Sequence, residues 1–263
     1  MVSVENSNIF VHIPFRDREK YLPLAIREGL NPEFYLPYGE LDSVNRNDLS
    51  SLKSALNEAG LSCSVHGPYG DLCIGASDPK IKAVTKERII QAVHVASSLQ
   101  ARTLVLHPGY EPFKYDYIKE RWLNNCVDLL NELGDIAGEM GVVFALENTF
   151  EETPDILHSL VSRLDSDIFG HCFDIGHFNI LGKCELLKWL SKIGSRLLEI
   201  HLHDNNGRTD EHNAIGDGNV DFKGLFRILS DLQVEPMLTI ESHDAEKVLR
   251  SVSRLKAILK ASR

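Results

Sequence analysis

The sequence has no apolar run near the roughly 18 residues that a membrane helix needs, and its first twenty residues lack the basic and apolar regions of a secretory signal. A soluble chain of the cytoplasm, without a membrane partner, is therefore expected. Cysteine is scarce: Cys63, Cys73, Cys126, Cys172 and Cys184 are odd in number and nowhere spaced Cys-x-x-Cys. That excludes a disulfide framework or zinc knuckle and suits reduced thiols. There is no basic tail or Lys/Arg block, and 38 acidic residues against 28 Lys plus Arg leave a net charge of −10. The electrostatic footprint that drives most nucleic-acid binding is missing at the level of the whole chain. What the chain does have is an apolar fraction of 43% over 263 residues, enough for a sizeable core and too much for disorder. It also has 11 histidines, a large allotment that has to be placed.

Short apolar or β-branched runs recur at 9–13, 33–36, 61–66, 103–107, 142–147, 169–174, 197–203 and 237–241, and read as eight strands. Helical spacing fills the intervals, most clearly at 79–99 and 116–139. Further helices are expected near 18–28, 51–59, 154–163, 185–193, 223–232 and 245–259. Eight strand–helix alternations without a dividing linker predict an α/β fold, a (β/α)8 TIM barrel, as a single domain over residues 1–263. A doubly wound open sheet is the competing architecture, but Ile13-Pro14-Phe15-Arg16-Asp17 after the first strand is no phosphate-binding glycine turn. The loops at 67–78, 108–114 and 204–221 are long and rich in Gly, Asn, Asp and Pro; in a barrel all three open on the face that carries active sites.

The third to eighth strands each end in an imidazole or carboxylate: His66, His107, Glu147, Asp174, His201 and Glu241. A lone His or Glu at such a place is usually a hydrogen-bonded lining residue. Six in register are costly to bury unless something pairs them, and a divalent metal accepts both His nitrogen and carboxylate oxygen. The seventh loop adds Asp210-Glu211-His212, whose first and third residues point to one side if the backbone is extended. Alone, that triplet reads as solvent-facing charge.

His66-Gly67-Pro68-Tyr69, His107-Pro108-Gly109, Glu147-Asn148, Asp174-Ile175-Gly176-His177, His201-Leu202-His203-Asp204, Asp210-Glu211-His212 and Glu241 follow one another in chain order. Together they resemble the endonuclease IV-like branch of the xylose isomerase-like TIM barrels, also called the AP endonuclease 2 superfamily. The resemblance implies one of two chemistries. Sugar isomerases and epimerases of the superfamily keep one ion, Mn²⁺, Mg²⁺ or Co²⁺, on ligands that here are Glu147, Asp174, His201 and Glu241. Its phosphodiesterases hold up to three Zn²⁺, implying His66, His107 and Glu147 for the first, Glu147, Asp174, His201 and Glu241 for the second, and His177, Asp210 and His212 for the third. All nine residues are present, although His66 and His177 recur in isomerases as substrate ligands. Four carboxylates around one divalent ion leave a negative site that repels phosphate; around three ions the sign reverses.

The activity implied is metal-assisted hydrolysis of a phosphodiester, with Glu241 orienting or deprotonating water and Glu147 mainly holding metal. In an isomerase the same two Glu become the acid/base pair. Tyr69 is expected as a pocket wall, His203 and Arg208 as substrate contacts, and His12 as a pocket residue that does not bind metal. His94, His158, His171 and His243 are assigned helix, loop or surface roles. The loop at 37–47, with Glu40 and Asp42 against Arg46, holds no basic and aromatic cluster to grip a bent duplex, so an abasic-site DNA endonuclease is the less favoured alternative. A small-molecule phosphodiester is preferred, and several motif flanks are similar to a cobamide-remodelling phosphodiesterase subgroup that cleaves a nucleotide loop. A metal-stabilised barrel that binds ligand without turnover is a third possibility. A monomer or small homo-oligomer is expected.

Overall fold

The computed structural model describes residues 8–242 and 244–261. Eight parallel strands close in sequence order into a barrel: β1 (Ile9–Pro14), β2 (Asn31–Tyr35), β3 (Ser64–His66), β4 (Leu104–Leu106), β5 (Phe144–Glu147), β6 (Phe169–Asp174), β7 (Leu197–Leu202) and β8 (Met237–Ile240). Closure is made by β8 against β1, with Ile9 opposite Leu238 and Val11 opposite Ile240. The helices are α1 (Arg18–Glu28), α2 (Tyr38–Ser43), α3 (Arg46–Glu58), α4 (Pro79–Leu99), α5 (Pro112–Tyr115), α6 (Lys119–Glu139), α7 (Asp155–Val161), α8 (Ile175–Leu181), α9 (Leu186–Ile193), α10 (Phe222–Leu232) and α11 (Ala245–Ala261). Among the described residues no helix is long and apolar enough to cross a membrane.

Strand alternation divides the side chains into two populations. On β5, Phe144 and Leu146 join the large core between barrel and helices, while Ala145 packs inward with Val105 and Cys172. The outer core holds the bulk: Trp122, Trp189, Phe144, Phe169, Phe173 and Phe226 are all fully buried. The inner positions carry instead Glu33, Ser64, Thr103, Glu199 and Thr239, all buried, beneath the strand-end residues. Stability therefore comes from the annulus, and the barrel's interior is left for polar chemistry.

Three local structures depart from the sequence reading. The expected loop at 37–47 contains α2, and α3 begins at Arg46 rather than at 51 because the Asn45 side chain accepts the Asp48 amide at 3.0 Å and caps the helix there. α8 follows β6 directly, with Asp174 as its cap, its Oδ1 accepting the His177 amide at 2.7 Å. His171 is a buried residue of β6 stacked against the half-buried His158 of α7, and burial lowers its pKa to about 3. His94 is exposed on α4, and His243 lies outside the described residues.

Phe144→Ala tests the annulus. The ring is fully buried and stacked on Phe169 at 5.1 Å. Its removal is expected to cost about 3–5 kcal/mol in urea unfolding with metal content unchanged.

Candidate metal centre

The mouth of the barrel gathers the titratable side chains around one carboxylate. Glu147, 1% exposed at the end of β5, has His66 Nε2 at 3.3 Å, His107 Nε2 at 3.1 Å and His201 Nδ1 at 3.4 Å from its Oε2, and His177 Nδ1 at 3.3 Å from its Oε1. His201 Nδ1 also lies 3.3 Å from Glu241 Oε2 and 4.0 Å from Asp174 Oδ2. A third group forms at the rim, where the Nε2 atoms of His177 and His212 approach Asp210 Oδ2 at 3.4 and 2.9 Å. The nine residues named from the sequence thus come together in three adjoining groups.

Two observations fit these groups to divalent ions. First, His201 is fully buried, yet neither ring nitrogen makes a well-directed hydrogen bond to the carboxylates around it. A cation among Glu147, Asp174 and Glu241 satisfies Nδ1 where those carboxylates alone do not. Second, the ring faces are set by backbone acceptors: His66 Nδ1 lies 2.9 Å from Gly67 O, His177 Nδ1 2.9 Å from Asn148 O, and His212 Nδ1 3.1 Å from Glu241 O. Each carbonyl takes the Nδ1 proton and leaves Nε2 turned to a carboxylate, where loss of its proton would free the lone pair that a metal requires. Several sets of three, including His66–His107–Glu147 and His66–His201–Glu241, place their ligand atoms within 4.8 Å of one another.

The long seventh loop presents Asp210 and His212 by a rigid scaffold. Asp204, buried, accepts the amides of Asn205, Gly216 and Val220, and its backbone pairs with Asn213 in both directions. Asp210 and His212 meet, but not through an extended backbone, because His212 sits at φ 45°. Gly176 has to be glycine: a Cβ there would come within 1.9 Å of the His203 ring.

Residues 28–258 match the family described as the xylose isomerase-like TIM barrel. The chain belongs to that family. It is 33% identical to an uncharacterized protein, MJ1311, of Methanocaldococcus jannaschii over 74% of this chain and 69% of that protein. To a probable endonuclease 4 of Mycoplasma pneumoniae it is 23% identical, over 77% and 76% of the two chains. The crystal structure of a D-tagatose 3-epimerase-like protein superimposes with a TM-score of 0.84 at 25% identity, covering 97% of this chain and 98% of that one. The proteins similar to this chain are thus named for more than one chemistry.

Among the residues expected at substrate, Tyr69 lines a cavity of about 1000 Å³ above the centre, stacked on His107 at 4.5 Å. His12 and Arg208 line it as well. His203 does not: fully buried, it places Nε2 3.1 Å from both Asp174 oxygens and stacks on His212 at 4.1 Å, so it braces ligand candidates from behind. The cavity rim also brings Arg16 and Arg208 near the exposed rings of Tyr38 and Phe150, a grouping the separate segments did not suggest.

Sequence reasoning missed the floor. His201 is inverted relative to the other rings: its Nδ1 faces the centre and its Nε2 lies 3.4 Å from Glu33 Oε2 on β2. Glu33 is fully buried and accepts from Ser64 at 3.4 Å. Beside it Glu199 accepts both threonine hydroxyls, Thr103 at 2.6 Å and Thr239. Burial and the neighbouring Glu33 push Glu199 up to about 7, whereas the His201 charge and the His12 and His201 contacts overcome burial and hold Glu33 well below the usual carboxylate range. A Glu at an inward position of a strand was the available signal. Asn148, named in its motif, was given no role there; its amide brackets the backbone of Asp174 with two bonds of 2.9 Å.

Glu33→Gln keeps the shape of this support and removes its charge. Zinc affinity is expected to fall about 10- to 100-fold with the fold intact by circular dichroism, and unchanged affinity would refute the support. Proton competition gives a second test. Burial alone would lower His66 and His212, but nearby carboxylates, Glu147 for the first and Asp210 for the second, raise both to about 9. A metal must displace those protons. Its affinity should therefore rise with pH toward about 9 and fall below neutrality, with net proton release on loading at pH 7 in calorimetry across buffers of different ionisation enthalpy.

Proposed function

We propose that this protein is a metal-dependent hydrolase that cleaves a phosphodiester in a small molecule, using up to three Zn²⁺. The observation that carries this reading is the convergence of His177, Asp210 and His212 beside the His201 group. A single-ion sugar isomerase has no use for that rim group as a metal site, nor for His107 placed with His66 on the same Glu147 oxygen. The similarity to a probable endonuclease 4 supports the same branch. A cavity of about 1000 Å³ suits a compact substrate and lies at the upper end of small-molecule pockets. The absence of any Lys/Arg block in the sequence disfavours DNA.

Bound zinc would supply Lewis-acid charge to the phosphoryl oxygens and lower the pKa of water. His66, His107 and Glu147 would hold the first ion, Glu147, Asp174, His201 and Glu241 the second, and His177, Asp210 and His212 the third. Glu241 lines the cavity, with His12 Nδ1 3.8 Å from its Oε1, and is the carboxylate positioned to take the proton of the attacking water. Glu147 faces four imidazoles and serves to hold metal. Arg208, which makes no ion pair among the described residues, would bind a phosphate oxygen, and Tyr69 would form the wall.

Zinc-loaded protein is expected to hydrolyse bis-p-nitrophenyl phosphate, to lose activity on chelation and to regain it with zinc, with nearly three ions per chain by elemental analysis. Glu241→Gln should lower kcat at least a hundredfold. A panel of an abasic DNA duplex, a cobamide and a set of ketoses separates the readings. One ion per chain with ketose conversion and no diester cleavage would replace this proposal with the isomerase; cleavage of the duplex alone would replace it with the DNA endonuclease.

A further inference from the structure

We infer that the cavity between the loops following β3 and β4 is a second binding site, which takes a flat heteroaromatic group of the nucleobase type attached to the scissile phosphate. This deepens the phosphodiester reading and rests on it. The metal centre uses only the residues at the head of those two loops, His66 and His107, and leaves the rest of both long segments unexplained. Between them lies a cavity of about 550 Å³ that shares Tyr69, His107, Thr149 and Phe150 with the metal cavity. The two are halves of one trough divided by a ridge. A phosphate held near His107 would therefore stand at the boundary of the two cavities, with the second open to one of its ester arms.

The ridge and floor are built structures. The Tyr69 ring lies on His107 with an interplanar angle of 17°. Thr149 is fixed by the buried Glu151, whose Oε2 accepts its amide at 2.7 Å. Below, Gly109 at φ 78° lets the two loops touch, since a Cβ there would meet Cys73 Cα at 3.1 Å and Leu72 O at 3.2 Å. Ile74 N donates to Pro108 O at 3.3 Å, and Cys73 Sγ lies 3.3 Å from the Tyr115 hydroxyl. The cavity is pre-formed by these contacts.

Its lining selects the ligand's chemistry. Tyr117 is 82% exposed and Phe150 52%, two aromatic faces left in water at the cavity edge. Lys114 is matched by Glu111 at 3.6 Å, and Asp78 caps α4 through the amides of Lys80 and Ile81. Arg121, in the first turn of α6, is then the cavity's cation without an ion pair among the described residues, and Asp71, on the loop after β3, is a further carboxylate of its lining. Aromatic faces with one donor and one acceptor group suit a heteroaromatic ring, whose π-face stacks and whose edge carries both hydrogen-bonding types. An aliphatic arm would leave all of these unused.

Calorimetric titration of the zinc-loaded protein tests this with two probes, adenosine 5′-monophosphate and ribose 5-phosphate, the second carrying an anomeric hydroxyl where the first carries its base. The nucleotide is expected to bind about tenfold more tightly or better, the scale of one stacked base. Tyr117→Ala should erase most of that advantage, Tyr117→Phe should keep it, and Arg121→Ala should reduce it, while ribose 5-phosphate binds all variants equally and so reports an intact centre. Equal affinity for the two probes, or an advantage that survives Tyr117→Ala, overturns the second site. Turnover of bis-p-nitrophenyl phosphate by the same preparations reports the activity separately. A base advantage without turnover overturns the phosphodiesterase and leaves the site; turnover without the advantage does the reverse.

Discussion

One buried carboxylate organises the functional end of this barrel. Glu147 is within 3.4 Å of imidazoles from β3, the loop after β4, β7 and α8, and is itself 1% exposed. A charge so far from water is tolerable only when paired, and a carboxylate has two oxygens with which to meet four rings. Every ring must therefore arrive at the same height, which requires the strand register to be right at each joint. Asp174 paired opposite His201, and Glu147 opposite Cys172, are that requirement expressed in the backbone. The His66 and His107 rings on the same oxygen are driven apart: Glu147 and Glu33 outweigh burial at His66, while burial wins at His107 and lowers it.

The ring orientations follow from what lies behind them. Where a loop supplies a carbonyl, as for His66, His177 and His212, the Nδ1 proton is taken by backbone, and Nε2 faces Glu147 for His66 and Asp210 at the rim for His177 and His212. His201 lies within a strand, where its neighbouring carbonyls are spent on the ladder, and it turns to Glu33 instead. The polar floor of Glu33, Ser64, Glu199, Thr103 and Thr239 is the consequence. A floor of that kind costs the barrel interior its usual branched apolar filling, and the aromatic annulus outside it supplies the stability.

The fold and the six strand-end residues were legible because both rest on period and order, whereas His177, Asp210 and His212 were named only through the family resemblance. Strand cores alternate, helices repeat, and a chemistry-bearing residue at a strand's end stays at that end after folding. The closed barrel follows all eight expected strands. What was illegible depends on contacts between distant segments. Glu33 looked like any residue of a half-polar strand, and its meaning comes from a ring 168 positions away on β7. His203 shares an alternation with His201 and was expected at substrate, but Gly176 lets it sink against Asp174. The α2 helix, capped by no side chain, carries almost no signal in a segment that begins with proline and glycine.

The negative balance of the chain takes on a different meaning once these residues are located. Glu147, Asp174, Glu241, Glu33 and Glu199 are acidic residues that contribute to the −10 yet lie buried in the barrel, and Asp210 lies at its rim. A count over the whole chain cannot distinguish them from surface charge that repels phosphate. The cations that could meet an anion are few and local: Arg16 and Arg208 at one half of the trough, Arg121 at the other. On the function proposed above, such an arrangement would draw a phosphoester within reach of the centre. On that same proposal, recognition would come from the groups attached to the phosphate, and the aromatic walls of the two cavities, rather than the net charge of the chain, would decide what this barrel accepts.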